Sequence, residues 1–167
     1  MNNRIWTIEE ALPKLAEWRA SGKRIVFTNG VFDILHIGHV TYLKSARNQG
    51  DFLILGLNND ASVKRLGKGD ERPINPEQAR AGVLAELRSV DAVILFGEDT
   101  PEKLIRALEP DVLVKGGDYD PNETNISSVQ YMVGSDLVKA RGGRVVAIPL
   151  VEGFSTTSTI AKMRKGN

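Results

Sequence analysis

Both histidines of this 167-residue chain, His36 and His39, fall in one stretch: Thr28-Asn-Gly-Val-Phe-Asp33-Ile-Leu-His36-Ile-Gly-His39. Two imidazoles three residues apart can both donate hydrogen bonds to phosphate oxygens, and more strongly once charge builds in a transition state. Gly38, between them, lets a ligand approach the backbone closely. The stretch runs from an apolar segment into a helix start. A helix N-terminus offers unpaired N–H groups and a partial positive charge, both of which favour phosphate. The plain alternative is that each histidine is an ordinary, partly buried side chain. Two of them as H-x-G-H, directly after a strand and an N-G-x-F-D run, favour an anion site.

The elements that must position this loop can be read from apolar periodicity. Thr7 with Glu10 reads as a capping box, and Ile8, Ala11, Leu12, Leu15 and Trp18 then share one helical face. Ser21-Gly22 ends that helix. Short apolar runs at 24–27, 52–57, 92–96, 111–114 and 144–148 read as buried strands. Helices are expected at about 38–49, 76–87, from Pro101 behind a Thr100 cap, 133–140 and 157–163. Residues 60–75 read as a polar, basic, mobile segment, and 119–130 as a surface excursion. Strands alternating with helices predict an α/β fold: a Rossmann-like, doubly wound, five-stranded parallel sheet covered on both faces. The expected organisation is one domain over 1–167, with helix 7–20 as an appendage. Such sheets bind ligands at the carboxyl ends of strands, near the switch in strand order, so the loop after the first strand is the place to look.

Composition narrows the chemistry. The chain has no cysteine, which excludes disulfides, a thiolate metal site and a cysteine nucleophile. A formal net charge of +1 argues against nucleic acid as partner, so an anion site must be local. No apolar run approaches the roughly 20 residues of a membrane helix, and the opening residues lack the pattern of a secretion signal. A cytoplasmic protein without a membrane partner is the expectation.

The loop and several later pieces resemble the cytidylyltransferase-like nucleotidyltransferase family, over about Lys23 to Met163. The matching pieces are TNGVFDILHIGHVTYLKSAR (28–47), NNDASVKRL (58–66), RPINPEQAR (72–80), VDAVILFGEDTP (90–101), PDVLVKGGDY (110–119) and GFSTTSTI (153–160). The V-K-G-G-D-Y and R-P-x-N-P pieces point to the branch that couples ATP to D-glycero-β-D-manno-heptose 1-phosphate, which serves lipopolysaccharide biosynthesis. The chain departs from that branch by roughly eight additional residues between Tyr119 and Val133.

The resemblance implies a role for each matching residue. His36 and His39 would contact the nucleotide phosphates and stabilise the displacement, with Lys64 reaching the phosphates from the basic segment and Arg65 as a second candidate. Thr28, Asn29, Gly30, Val31 and Phe32 would line the phosphate loop, with Gly38 at the helix start. Arg80 would lie near the nucleotide. Gly116, Gly117 and Asp118 would touch the base or ribose. Ser155, Thr156 and Thr157 would meet the triphosphate from another helix N-terminus. Asp33 would orient the loop or help organise Mg2+ (or Mn2+), which phosphates and water would otherwise hold without a protein cage. A homodimer or larger homo-oligomer is also implied, with the Trp6–Trp18 helix as one candidate contact. Ordinary structural roles stand beside these: a solvated face for Lys64 and Arg65, a helix cap for Ser155 to Thr157, and a turn for Asp118. Arg80 could pair with Glu77 or Glu86 on its own helix, and Asp33 could be structural. Tyr42 reads as packing and Lys44 as solvent-facing.

The expected reaction is in-line attack by the acceptor's phosphate oxygen on the nucleotide α-phosphorus, with pyrophosphate leaving and no covalent enzyme intermediate. Three rivals stay open. A glycerol-3-phosphate-type cytidylyltransferase using CTP shares the reaction. A class I aminoacyl-tRNA synthetase fragment shares the H-I-G-H spelling, but its second signature is echoed only by Lys162-Met-Arg-Lys165 at the chain's end. A nucleotide-sensing module on the same fold would lack turnover.

Overall fold

Five apolar runs form one parallel sheet in the computed structural model, which describes residues 4–67, 69 and 71–165. Of the segments singled out above, Lys68 and Asp70 lie outside the described residues, as does the side chain of Lys165. The strands are β1 (Ile25–Gly30), β2 (Phe52–Asn58), β3 (Ala92–Phe96), β4 (Val112–Gly116) and β5 (Arg144–Ile148). Their order across the sheet is β3-β2-β1-β4-β5. The order reverses between β1 and β4, so their carboxyl ends flank the switch point at which open α/β sheets bind ligands.

Alternation along each strand divides the core in two. Val26, Leu53, Leu55, Val93, Val112 and Val114 face one layer, packed by α2 (Ile37–Arg47) and α4 (Glu77–Ala85). Ile25, Phe27, Ile54, Ile94 and Leu113 face the other. That layer is built from α1 (Ile8–Ala20), α5 (Glu102–Leu108) and α6 (Ser135–Ala140). With both faces covered, the strands read as continuous apolar runs rather than alternating ones.

The predicted capping box of α1 is present, Thr7 and Glu10 each bonding the other's backbone N–H. The helix is part of the domain core. Ala11 and Leu15 are fully buried, Ile5 bridges to Val93, and the Trp18 ring stacks on Phe52 at 3.6 Å. The two tryptophans suggested as an oligomer contact are therefore engaged within the chain, 5.9 Å apart.

Three expectations need correction. Residues 60–75, read as mobile, contain a helix, α3 (Asp60–Arg65), capped by Asn59 Oδ1 accepting from the Ser62 N–H. One turn and a half is too short to show periodicity. The helix expected from Val133 starts at Ser135, because Gly134 takes φ 85°, a left-handed conformation that no helix interior accepts. The helix expected to begin at Pro101 begins at Glu102. The last helix, α7, spans Thr156–Lys165.

Candidate active site

A cavity of about 770 Å3 opens at the carboxyl ends of β1 and β4. The N-termini of α2, α5 and α7 reach it, Asp99, Thr100 and Pro101 lining it from the start of α5. His36, Gly38 and His39 line it from the start of α2, and Ser155, Thr156 and Thr157 from the start of α7. Helices α2 and α7 have no acidic residue in the first turn, whereas α1, α3, α4, α5 and α6 each carry at least one. A first-turn carboxylate offsets the positive helix end. Omitting it from α2 and α7 leaves the field of these two helix starts for an external anion.

The histidine rings stack on each other with centroids 3.8 Å apart. His36 Nδ1 and Nε2 and His39 Nδ1 are buried and have no hydrogen-bond partner within the protein. An unsatisfied buried polar atom costs about 1–3 kcal/mol, and a ligand's oxygens would relieve that cost. Burial lowers the His36 pKa below its usual value. Burial, and secondarily repulsion from His36, lowers that of His39 to about 4. Both rings are therefore neutral at pH 7 in the ligand-free protein. Gly38 makes the stacked arrangement possible, since a Cβ there would sit 3.0 Å from His36 Nδ1 and 3.3 Å from the Phe154 Cβ.

The loop behind the histidines is held by buried polar contacts. Asp33, with a fully buried side chain, pairs with Arg72 (Nε to Oδ2 2.6 Å). Asp33 also accepts from the backbone N–H groups of Ile74 (2.9 Å) and Asn75 (2.8 Å). Asn75 Nδ2 donates in turn to the Asp33 carbonyl at 2.7 Å. Phe32 takes φ 46° at the bend, and its ring meets His39 edge-on at 5.2 Å.

The candidate residues separate by position. Asn29, Gly30, Val31, Phe32, Gly38, Gly116, Ser155, Thr156, Thr157 and both histidines line the cavity together. Thr28 lies beneath it, fully buried, its hydroxyl 2.6 Å from that of Tyr42. Arg80 is placed near the nucleotide by the resemblance, and the structure gives it a different post. Its side chain is fully buried, donating to Val31 O (2.7 Å), Asn75 O (3.0 Å) and Asp60 Oδ1 (2.7 Å). It joins the loop after β1 to α3 and α4, and its partners are neither Glu77 nor Glu86. Asp33 likewise has its carboxylate occupied by protein donors, which gives it the structural role weighed above rather than that of a metal ligand. Lys64, exposed on the last turn of α3, lies outside the cavity wall, as do the half-buried Gly117 and the exposed Asp118 after β4. Arg65 pairs with Asp99 at 2.6 Å.

Sequence reasoning missed Lys115, Tyr119, Tyr131 and Phe154, all of which line the cavity. Lys115 had a usable signal, since it precedes Gly116-Gly117 at the carboxyl end of a strand next to β1. Tyr131 had none, because only folding of the 120–130 excursion returns it to the cavity.

Among the described residues, no group of three or more histidine, aspartate or glutamate side chains is arranged to hold a metal ion, and no helix is long and apolar enough to cross a membrane.

Residues 27–162 match the family model described as cytidylyltransferase-like. The chain is 55% identical over 153 residues to a bifunctional protein HldE of Rhodopseudomonas palustris (strain BisB5), covering 92% of this chain and 29% of that protein. A Pseudomonas aeruginosa (strain LESB58) protein of the same name is 54% identical over 158 residues, covering 95% of this chain and 32% of that one. The chain thus spans about a third of the length of such relatives. Among solved structures, a lipopolysaccharide core biosynthesis protein from Thermoplasma volcanium GSS1 superposes with TM-score 0.58 at 31% identity, over 78% of this chain and 98% of that one. Pantothenate synthetase from Thermus thermophilus, at TM-score 0.59 and 18% identity, over 98% of this chain and 70% of that one, shares the fold alone.

Proposed function

Because this chain belongs to the cytidylyltransferase-like family of nucleotidyltransferases, we propose that it transfers AMP from ATP to D-glycero-β-D-manno-heptose 1-phosphate, yielding ADP-heptose and pyrophosphate. The reading rests on one observation above all: two helix N-termini without acidic residues and two stacked imidazoles, three of whose ring nitrogens are buried without a partner, share one cavity at the switch point. That arrangement suits a polyanion. The choice of ATP and heptose 1-phosphate rests on the R-P-x-N-P and V-K-G-G-D-Y pieces and on similarity to the HldE proteins and the lipopolysaccharide core biosynthesis protein.

In the proposed step, an oxygen of the acceptor's phosphate forms a bond to the α-phosphorus, and the bond from α-phosphorus to the α,β-bridging oxygen breaks. The electron pair leaves with pyrophosphate. The nucleophile is already an anion, so no general base is required. The protein's task is positioning and charge stabilisation. His36 and His39 would donate to phosphate oxygens, and the backbone N–H groups at the starts of α2 and α7 would hold the triphosphate. Mg2+ or Mn2+ would enter with the nucleotide and neutralise charge on it. Asp33 is unsuited as a ligand because its oxygens already accept from Arg72, Ile74 and Asn75, so phosphate oxygens and water would supply the shell. Lys64 would contribute only after α3 or the chain beyond it moves toward the cavity. A homodimer or larger assembly, testable by light scattering, belongs to the same proposal.

Pyrophosphate release from four nucleoside triphosphates against heptose 1-phosphate, glycerol 3-phosphate, phosphocholine and phosphopantetheine tests the assignment. ATP with heptose 1-phosphate is expected to dominate and to require the divalent ion. A site that hydrogen-bonds sugar hydroxyls should reject acceptors that lack them. Dominance of CTP with glycerol 3-phosphate overturns the substrates and keeps the reaction class. Nucleotide binding without any release favours a nucleotide-sensing module.

A further inference from the structure

The Asp33–Arg72 pair braces the loop before the histidines, but a brace uses only part of the arginine. The Arg72 side chain is 7% exposed and lines the cavity. Among the described residues that side chain makes one hydrogen bond, from Nε to Asp33 Oδ2 at 2.6 Å. A guanidinium carries five N–H donors in a rigid fork. Those on the two Nη nitrogens have no partner among the described residues, and they are not sealed in either. The buried side-chain nitrogens left without a partner there all belong to the two histidines. The Nη edge of Arg72 therefore meets the cavity.

Its placement decides which anion that edge would meet. Asp33, which holds Nε, precedes His36 in the same loop. Ile34, the next residue, accepts through its carbonyl from the Thr156 hydroxyl at the start of α7, at 3.5 Å. Arg72 thus stands beside the segment that links the starts of α2 and α7, the two helices without a first-turn carboxylate. Asp33 is itself fixed by the N–H groups of Ile74 and Asn75. The guanidinium plane is therefore set before a ligand arrives, which removes much of the cost of ordering a long side chain. The two imidazoles on this wall are held neutral at pH 7, so they bring donors but no charge. A guanidinium stays protonated throughout, and its planar fork matches phosphate oxygens two at a time.

We propose that Arg72 is a further catalytic residue: its Nη edge takes oxygens of the β- and γ-phosphates of the nucleotide, while Asp33 fixes its plane through Nε. As the bond from the α-phosphorus to the α,β-bridging oxygen breaks, the electron pair and the added negative charge go to pyrophosphate, and Arg72 stays with that leaving group. Asp33 is then a positioning residue that acts through Arg72. This rests on the nucleotidyl-transfer reading for the molecule that carries the phosphates, but the anion contact can be tested without turnover.

The test is calorimetric titration with pyrophosphate, α,β-methylene-ATP and AMP, each with Mg2+, beside a melting curve for every protein. Wild type is compared with Arg72→Met, Arg72→Lys, Asp33→Ala and Asp33→Ala/Arg72→Met. Loss of the charge-assisted hydrogen bonds should weaken pyrophosphate and α,β-methylene-ATP by about 10–100-fold in Arg72→Met. AMP, which lacks the β- and γ-phosphates, should change by less than about twofold. Arg72→Lys keeps a charge beside Asp33 but not the fork, so it should recover only part of the loss. In the Asp33→Ala background, removing Arg72 should weaken pyrophosphate by about a further 10-fold. No further loss there means that Arg72 acts only through the loop, which overturns the contact. Where a methionine or alanine variant fails to fold, Arg72→Lys decides, and pyrophosphate affinity equal to wild type overturns the contact. Unchanged affinity in Arg72→Met, equal weakening of AMP and pyrophosphate, or no binding of pyrophosphate and α,β-methylene-ATP to wild type also overturns it. Pyrophosphate binding that depends on Arg72, in a protein that turns over no nucleoside triphosphate, upholds the contact and removes the transfer reading. Wild-type turnover by folded Arg72→Met keeps the transfer reading and removes Arg72 from it.

Discussion

Replacing Asp33 by alanine should cost stability, because its carboxylate is structural. The substitution removes the acceptor for Arg72 Nε at 2.6 Å and for the backbone N–H groups of Ile74 and Asn75. The Arg72 side chain is 7% exposed and that of Asp33 0%, so the variant would retain a guanidinium shielded from water and without its counter-ion. Breaking a buried pair from one side costs about 3–5 kcal/mol. For a chain of this size each kcal/mol moves the melting temperature by about 2–4 °C, so a fall of about 6–20 °C is expected. The double variant Asp33→Ala/Arg72→Met leaves no stranded charge and should be more stable than Asp33→Ala alone, an interaction that a double-mutant cycle reads directly. Urea unfolding followed by circular dichroism measures all four proteins. A loss below about 1 kcal/mol, or strict additivity of the two substitutions, would refute the reasoning. A shifted Mg2+ requirement with unchanged stability would instead return Asp33 to the role of metal ligand.

Other outcomes follow from the same structure. His36→Ala or His39→Ala should leave the melting temperature within a few degrees, because each removes buried atoms that have no partner, while turnover falls by about 10²–10³; full turnover in the double variant would remove the basis of the site. Gly38→Ala places a Cβ 3.0 Å from His36 Nδ1, so it should cut turnover through ring displacement at little cost in stability, and steady-state kinetics beside a melting curve would expose the opposite pattern. His39 loses its proton near pH 4 when folded but near 6.5 when unfolded. Between those values the unfolded chain binds more protons, so this group makes stability fall as pH drops from about 6.5 to about 4, and adds no further loss below that. Urea midpoints that vary identically with pH in wild type and His39→Ala would contradict this. Cleavage by trypsin at Lys64 or Arg65 should slow when ATP and Mg2+ are present, as for a segment that closes over ligand; unchanged cleavage at saturating nucleotide counts against closure.

The local chemistry was legible from the sequence alone. Both histidines, the glycine between them and the strand before them are close in the chain, so spacing was enough to read a loop at a helix start, and the structure puts that loop on the cavity wall. The five apolar runs revealed a parallel sheet because strands buried on both faces have no polar alternation to blur them. The Thr7–Glu10 box was equally local. What the sequence did not disclose depends on partners distant in the chain. Arg80 looked like a nucleotide contact until Val31, Asn75 and Asp60 were seen to claim its guanidinium. Asp33 acquired its role from residues about forty positions away, as Arg72, Ile74 and Asn75 turned their donors toward it. Lys115 became a wall of the cavity only because β4 pairs with β1 rather than with β3, its predecessor in the chain. A side chain's type sets the bonds it can make, and local spacing sets which near neighbours it can reach. Whether its charge is consumed inside the protein or left for a ligand is decided by which distant donors and acceptors the packed sheet and helices bring within 3 Å, and that only the tertiary structure determines.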